Sequence, residues 1–243
     1  MGVHIENAGN AAVVALRWPH TRNALGPAEA EEIAEAIKVA GNSDASAIVL
    51  WGEGAFSSGG DLPQIARLVQ QSPADMSAAI YGPVQGMIRA LRDAPLPTIA
   101  AVDGAAVGLG MDLALACDMR FVGTDGWFRQ GWASAGLIPA TGGMAFLSQY
   151  APGVPWALIA GQQRLSASEC ISVGIAEPAE TTGLQAALDR AAQLASLPQA
   201  TLRAYSALRL LRWPPDEYFA KCVELQIELL GSPHFAQVAA RFA

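Results

Sequence analysis

Apolar residues run almost unbroken through AAVVALRW (11–18), SAIVLWG (46–52) and PTIAAVDG (97–104), each bounded by turn-forming or charged positions. Runs of that length predict strands, the last two buried on both faces. VHIENAG (3–9) precedes the first across an Asn- and Gly-rich turn, so the two read as a hairpin. From Pro27 the period changes. Ala30, Ile33, Ala34 and Ile37 fall on one helical face, Glu29, Glu31 and Glu32 crowd the favourable N-terminal turn, and Gly41 closes the helix. A second helix is predicted over roughly 74–93, interrupted at Gly82-Pro83. MRFVGTDGWF (119–128) predicts one more strand, and a helix is expected from about Gly143 to Tyr150. The remainder alternates helical segments with Pro and Gly breaks. Strands alternating with helices predict an α/β core, with a helical C-terminal part.

Composition narrows this picture. The 243 residues are 52% hydrophobic and only 15% charged, which implies a large core or surfaces hidden by self-association. No apolar stretch approaches the roughly 18 residues of a membrane span. The opening MGVHIENAGN lacks the pattern of a secretory signal, so a soluble, cytoplasmic protein is expected. A net charge of −7 argues against nucleic acid as the main partner. Cys117, Cys170 and Cys222 are widely spaced and sit in apolar patterns, as free buried thiols do; neither their spacing nor any other predicts a metal site.

Two glycine-rich turns carry the candidate chemistry. AFSSGGDL (55–62) follows a buried strand, and GAAVGLGMDLALACD (104–118) follows another. Small residues let a ligand approach the backbone, and two strand ends with outward amides can converge on one oxygen. Ser57 and Ser58 invite a hydrolase reading, but His4, His20 and His234 form no triad motif and G-x-S-x-G is absent. GAAVGLG resembles a dinucleotide fingerprint only weakly.

RNAL (22–25), AFSSGGDL (55–62), AVDGAAVGLGMDLALACD (101–118) and GLIPATGG (136–143) occur in the order and spacing of the crotonase superfamily, the enoyl-CoA hydratases and isomerases. The resemblance covers nearly the whole chain. It implies an α/β, crotonase-like spiral of ββα units over residues 1–195 and a helical C-terminal segment over 196–243 that builds a homotrimer or a dimer of trimers. It also implies an acyl-CoA ligand, with no separate cofactor. On matching positions the amides of Ser57 and Leu109 would form an oxyanion hole. Arg22 and Ala24 would receive the nucleotide end of CoA, while Ser58, Gly59, Gly60 and Leu62 line the loop and Asp61 holds it. The first family glutamate falls on Asp112 and the second on Trp132.

That last departure bears on the reaction. Hydration needs water activated and a proton delivered, and losing one acid–base group costs about 10² to 10⁴ in rate. Double-bond isomerisation needs a single base, so Asp112 is expected to serve it better. The rival expectation is an acyl-CoA-binding relative without catalysis; a third is a scaffold with no CoA site. Glu53 and Asp75 are further carboxylates to place.

Overall fold

In the computed structural model, which describes residues 1–69, 73–209 and 213–241, the apolar runs lie side by side in one sheet. Its strands are β1 (Gly2–Ala8), β2 (Ala11–Arg17), β4 (Ala47–Gly52), β6 (Thr98–Val102), β8 (Met119–Val122) and β11 (Glu177–Pro178), neighbours in that order. The hairpin β1–β2 is antiparallel; every later neighbour is parallel. Short strands make a second layer. β3 (Ala24–Leu25) pairs with β5 (Gly59–Gly60), and β7 (Ala105–Val107) pairs with β9 (Trp127–Arg129), which β10 (Arg164–Ser166) also joins. A bridge between Ser57 and Ala106 links the two short ladders. β2, β4, β6 and β8 are thus each followed by a short strand and then a helix, which is the ββα spiral expected. MRFVGTDGWF holds two strands instead of one, because the chain turns at Gly123–Gly126 and passes into the second layer.

The helices are α1 (Pro27–Gly41), α2 (Leu62–Leu68), α3 (Pro73–Met76), α4 (Gly82–Arg92), α5 (Leu109–Ala116), α6 (Gly143–Tyr150), α7 (Pro155–Gly161) and α8 (Ala167–Ser172), followed by α9 (Gly183–Leu194), α10 (Gln199–Ala207), α11 (Asp216–Leu230) and α12 (Pro233–Ala239). In α1 the buried face is Ala30, Ile33, Ala36, Ile37 and Ala40, with Ala34 half-buried at its border. The expected break at Gly82-Pro83 falls earlier. Pro83 sits in the first turn of α4, where its missing N–H costs nothing, and a π-turn over Ser77–Tyr81 joins α3 to α4.

Alternation along the strands divides the core. Ala12, Val14, Leu16, Ile48, Leu50 and Ala100 face the main cluster, while Ala11, Val13, Ala15, Val49, Ile99 and Ala101 face α9 through Ala187 and Ala191. Burial on both faces explains why these strands read as continuous apolar runs. Asp103 fastens α9 there, accepting from the amides of Gly183 and Leu184 and from the Trp51 indole. At the far side Arg209 ties the C-terminal segment down. Its guanidinium donates to both Asp118 oxygens at 2.7 Å and to the carbonyls of Leu91, Ala94 and Leu96 at 2.8–2.9 Å. Of that segment, residues 210–212 and 242–243 lie outside the described residues. Among the described residues no helix is long and apolar enough to cross a membrane.

Candidate active site

The two glycine-rich turns meet between the layers. Ser57 bridges β7: its amide donates to Ala105 O at 2.9 Å, and its carbonyl accepts from Val107 N at 3.0 Å. Gly59 has φ +101°, and a Cβ there would lie 2.7 Å from Val107 O and 3.7 Å from Leu109 N. Only glycine suits so close an approach.

Ser57 therefore does not offer its amide, and the expectation that it forms one wall of an oxyanion hole is corrected. The Ser58 amide donates to Arg22 O (2.9 Å), that of Gly59 to Ser57 Oγ (3.1 Å) and that of Asp61 to Leu25 O (3.0 Å). Gly60 lies against the cavity that Leu109 lines: a Cβ on it would be 3.3 Å from Ile65 and 3.6 Å from Trp132, two other lining residues. Leu109 is the first residue of α5, where a helix leaves its amides without internal partners and carries its positive end.

Asn23 holds this arrangement and was missed by the sequence reading as a residue in its own right. It is fully buried, with φ +56°, next to Arg22 at φ +54°. Its side chain accepts from Trp18 N (2.8 Å) and donates to Ala55 O (2.7 Å), and its carbonyl accepts from Ser57 Oγ (2.7 Å). Asn tolerates the left-handed region better than most residues, which is the one local signal its position gave. Around it Arg22 is exposed, Ala24 lies in β3, and Ser58 Oγ donates to Thr21 O. Asp61 caps α2 by accepting from Gln64 N at 2.9 Å, with Leu62 as the first helical residue.

Asp112 stands one turn into α5, 3% exposed. Its Oδ2 accepts from Thr141 Oγ1 at 2.6 Å and from Trp132 Nε1 at 3.1 Å. Its Oδ1 packs against Gly143, the first residue of α6. Burial pushes the carboxyl up to about 7, although both hydrogen bonds favour the charged form. A carboxyl with that value gains and loses a proton near neutral pH, which suits an acid–base group.

Trp132 is also buried. Its indole lies across the cavity: a Cβ on Gly108 would be 3.6 Å from its Cε2, and one on Gly60 would be 3.6 Å from its Cη2. Leu25, Ile65, Ile80, Tyr81, Val84, Leu109, Leu137, Ala140 and Thr141 enclose the remaining space with it, a cavity of about 20 Å³. That is room for about one water molecule. Glu53 is elsewhere, exposed and paired with Arg17, and Asp75 is exposed. The three cysteines are free and buried, and burial pushes the Cys117 thiol up to about 12. Among the described residues no group of three His, Cys, Asp or Glu side chains could hold a metal ion.

The family described as enoyl-CoA hydratase/isomerase matches residues 6–209. The probable enoyl-CoA hydratase EchA14 of Mycobacterium tuberculosis is 33% identical over 238 residues, covering 93% of this chain and 91% of that protein. The probable enoyl-CoA hydratase echA6 of the same species is 32% identical over 177 residues, 72% of this chain and 69% of that one. Among solved structures, an enoyl-CoA hydratase from Polaromonas sp. JS666 superposes with a TM-score of 0.81 at 27% identity, over 100% of this chain and 96% of that one. One from Bacillus halodurans reaches 0.89 at 19% identity, over 99% and 100%, a likeness of fold.

Proposed function

The chain belongs to the enoyl-CoA hydratase/isomerase family, and from that premise we propose that it binds an acyl-CoA thioester and shifts its double bond with Asp112 as the one acid–base group. The thioester oxygen rests on the amides of Leu109 and Gly60. Enolate formation puts negative charge on that oxygen, and each pre-oriented donor is worth roughly 3 kcal/mol in such a site. The Asp112 carboxylate removes a proton from C2 of a 3-enoyl thioester, the electrons move onto the oxygen, and the same carboxyl returns the proton at C4. No water enters that balance. Hydration would need a second group to activate water, and the side chain at the matching position, Trp132, offers only a donor already directed at Asp112.

The observation that carries this reading is the Asp112 carboxyl, buried in the first turn of α5 and held by Thr141 and Trp132. Exposed Tyr205, Leu208 and Leu225 support self-association of the C-terminal helices as part of the proposal. A second reading has its own support: the indole fills the cavity, as it would in a thioester receptor without catalysis.

Titration with short- and long-chain enoyl-CoA esters, following hydration and double-bond migration, tests both. The expected result is migration that falls at least about a hundredfold in Asp112→Asn while binding is kept. Binding without turnover in the parent would establish the receptor, and absence of binding would overturn both.

A further inference from the structure

Resting on that reading, we propose that Trp132 selects the acyl group, restricting the site to thioesters of short chains. An acyl chain starting at the Leu109 and Gly60 amides runs into the indole, which is held on Asp112 by its N–H, leans on Gly60 and Gly108 and leaves about 20 Å³ among the apolar side chains behind. Ile65, Ile80, Val84 and Leu137 would suit a longer chain if the ring were absent.

The ring is held at both ends. Its N–H donates to a buried carboxyl, so swinging it out would lose one of the two hydrogen bonds that Asp112 Oδ2 accepts. Its backbone is fixed as well: Trp132 N donates to Gln130 O at 2.8 Å, and Trp132 O accepts from Ala135 N and Leu137 N at 3.0 Å. A side chain with a pinned backbone and a bonded tip makes a rigid stop. One methylene too many in such a pocket weakens binding by tenfold or more.

The test is calorimetric binding of CoA, butyryl-CoA, octanoyl-CoA and dodecanoyl-CoA to the full chain and to Trp132→Ala and Trp132→Phe. Saturated thioesters keep binding separate from turnover. The parent is expected to bind butyryl-CoA at least about tenfold more tightly than octanoyl-CoA. Trp132→Ala should reverse that order, and Trp132→Phe, a smaller ring without the N–H, should narrow the difference. Should Trp132→Ala fail to fold, Trp132→Leu takes its place, and the parent's own ranking already decides. Equal affinity of the parent for butyryl- and octanoyl-CoA, or an order unchanged in Trp132→Ala, would overturn the proposal alone. Failure of CoA and every thioester to bind any of the proteins would instead overturn the acyl-CoA reading beneath it.

Discussion

Thr141 and Asp112 are 29 positions apart in the chain and 2.6 Å apart in the fold, hydroxyl oxygen to carboxylate oxygen. That bond works against burial, which pushes the carboxyl up, so its removal has a definite direction. In Thr141→Val the carboxyl should rise above about 7, and the acid limb of the pH–rate profile should move up by about one pH unit. An unmoved limb would mean that Thr141 only fills space.

Asp112 also links stability to pH. Its folded-state value of about 7 lies above the ordinary 3.8, so between those values the folded chain holds a proton that the unfolded chain has released. Stability contributed by this group is therefore lost as pH rises from about 4 to about 7. Asp112→Asn removes the cost of a buried charge. Urea unfolding should show it gaining on the parent between pH 4.5 and pH 8, with a ceiling on the order of 4 kcal/mol. A difference that is the same at both pH values would show that the carboxyl is not buried as a charge.

Gly143 gives a steric counterpart. A Cβ there would fall on Asp112 Oδ1, well inside contact distance, whereas one on Gly153 would meet nothing within 4 Å. Gly143→Ala should cost roughly 2 kcal/mol and displace the carboxylate, abolishing turnover. Gly153→Ala should stay within about 0.5 kcal/mol of the parent in thermal unfolding.

Arg209 is 6% exposed and bonded to Asp118 and to carbonyls that precede β6. Arg209→Leu leaves Asp118 without its cation and those carbonyls without a donor. We expect a loss of about 3–5 kcal/mol in chemical denaturation. A loss below about 1 kcal/mol would show that α10 is held by apolar packing alone.

The alternation of apolar runs with glycine-rich turns made the layered core legible, since β2, β4 and β6 are covered on both faces and show it in their composition. The short second-layer strands were harder. Two or three residues such as Gly59–Gly60 or Trp127–Arg129 carry no periodicity, and only their ladder partners define them. That the two turns could meet was legible, and so was the place of Asp112 at the start of α5. That Ser57 gives its amide to β7 was not, because no local pattern announces the bridge it makes there. The bond between Trp132 and Asp112 was hidden for the same reason. An indole at position 132 reads as bulk until the turn after β9 brings its N–H onto α5.

The order of the long sheet follows the order of the chain, β1 to β11, with each new strand added at the edge left by the one before. A chain leaving the ribosome can therefore extend this sheet one strand at a time, without reopening a pairing already made. Only one growing edge needs shielding at each stage. The sheet's second face is less protected: Val13, Val49, Ile99 and Phe121 wait for α9, whose residues 183–194 are made some sixty positions after β8. During that interval a half-covered sheet is present, and it is there that the nascent chain is most exposed to association with its neighbours.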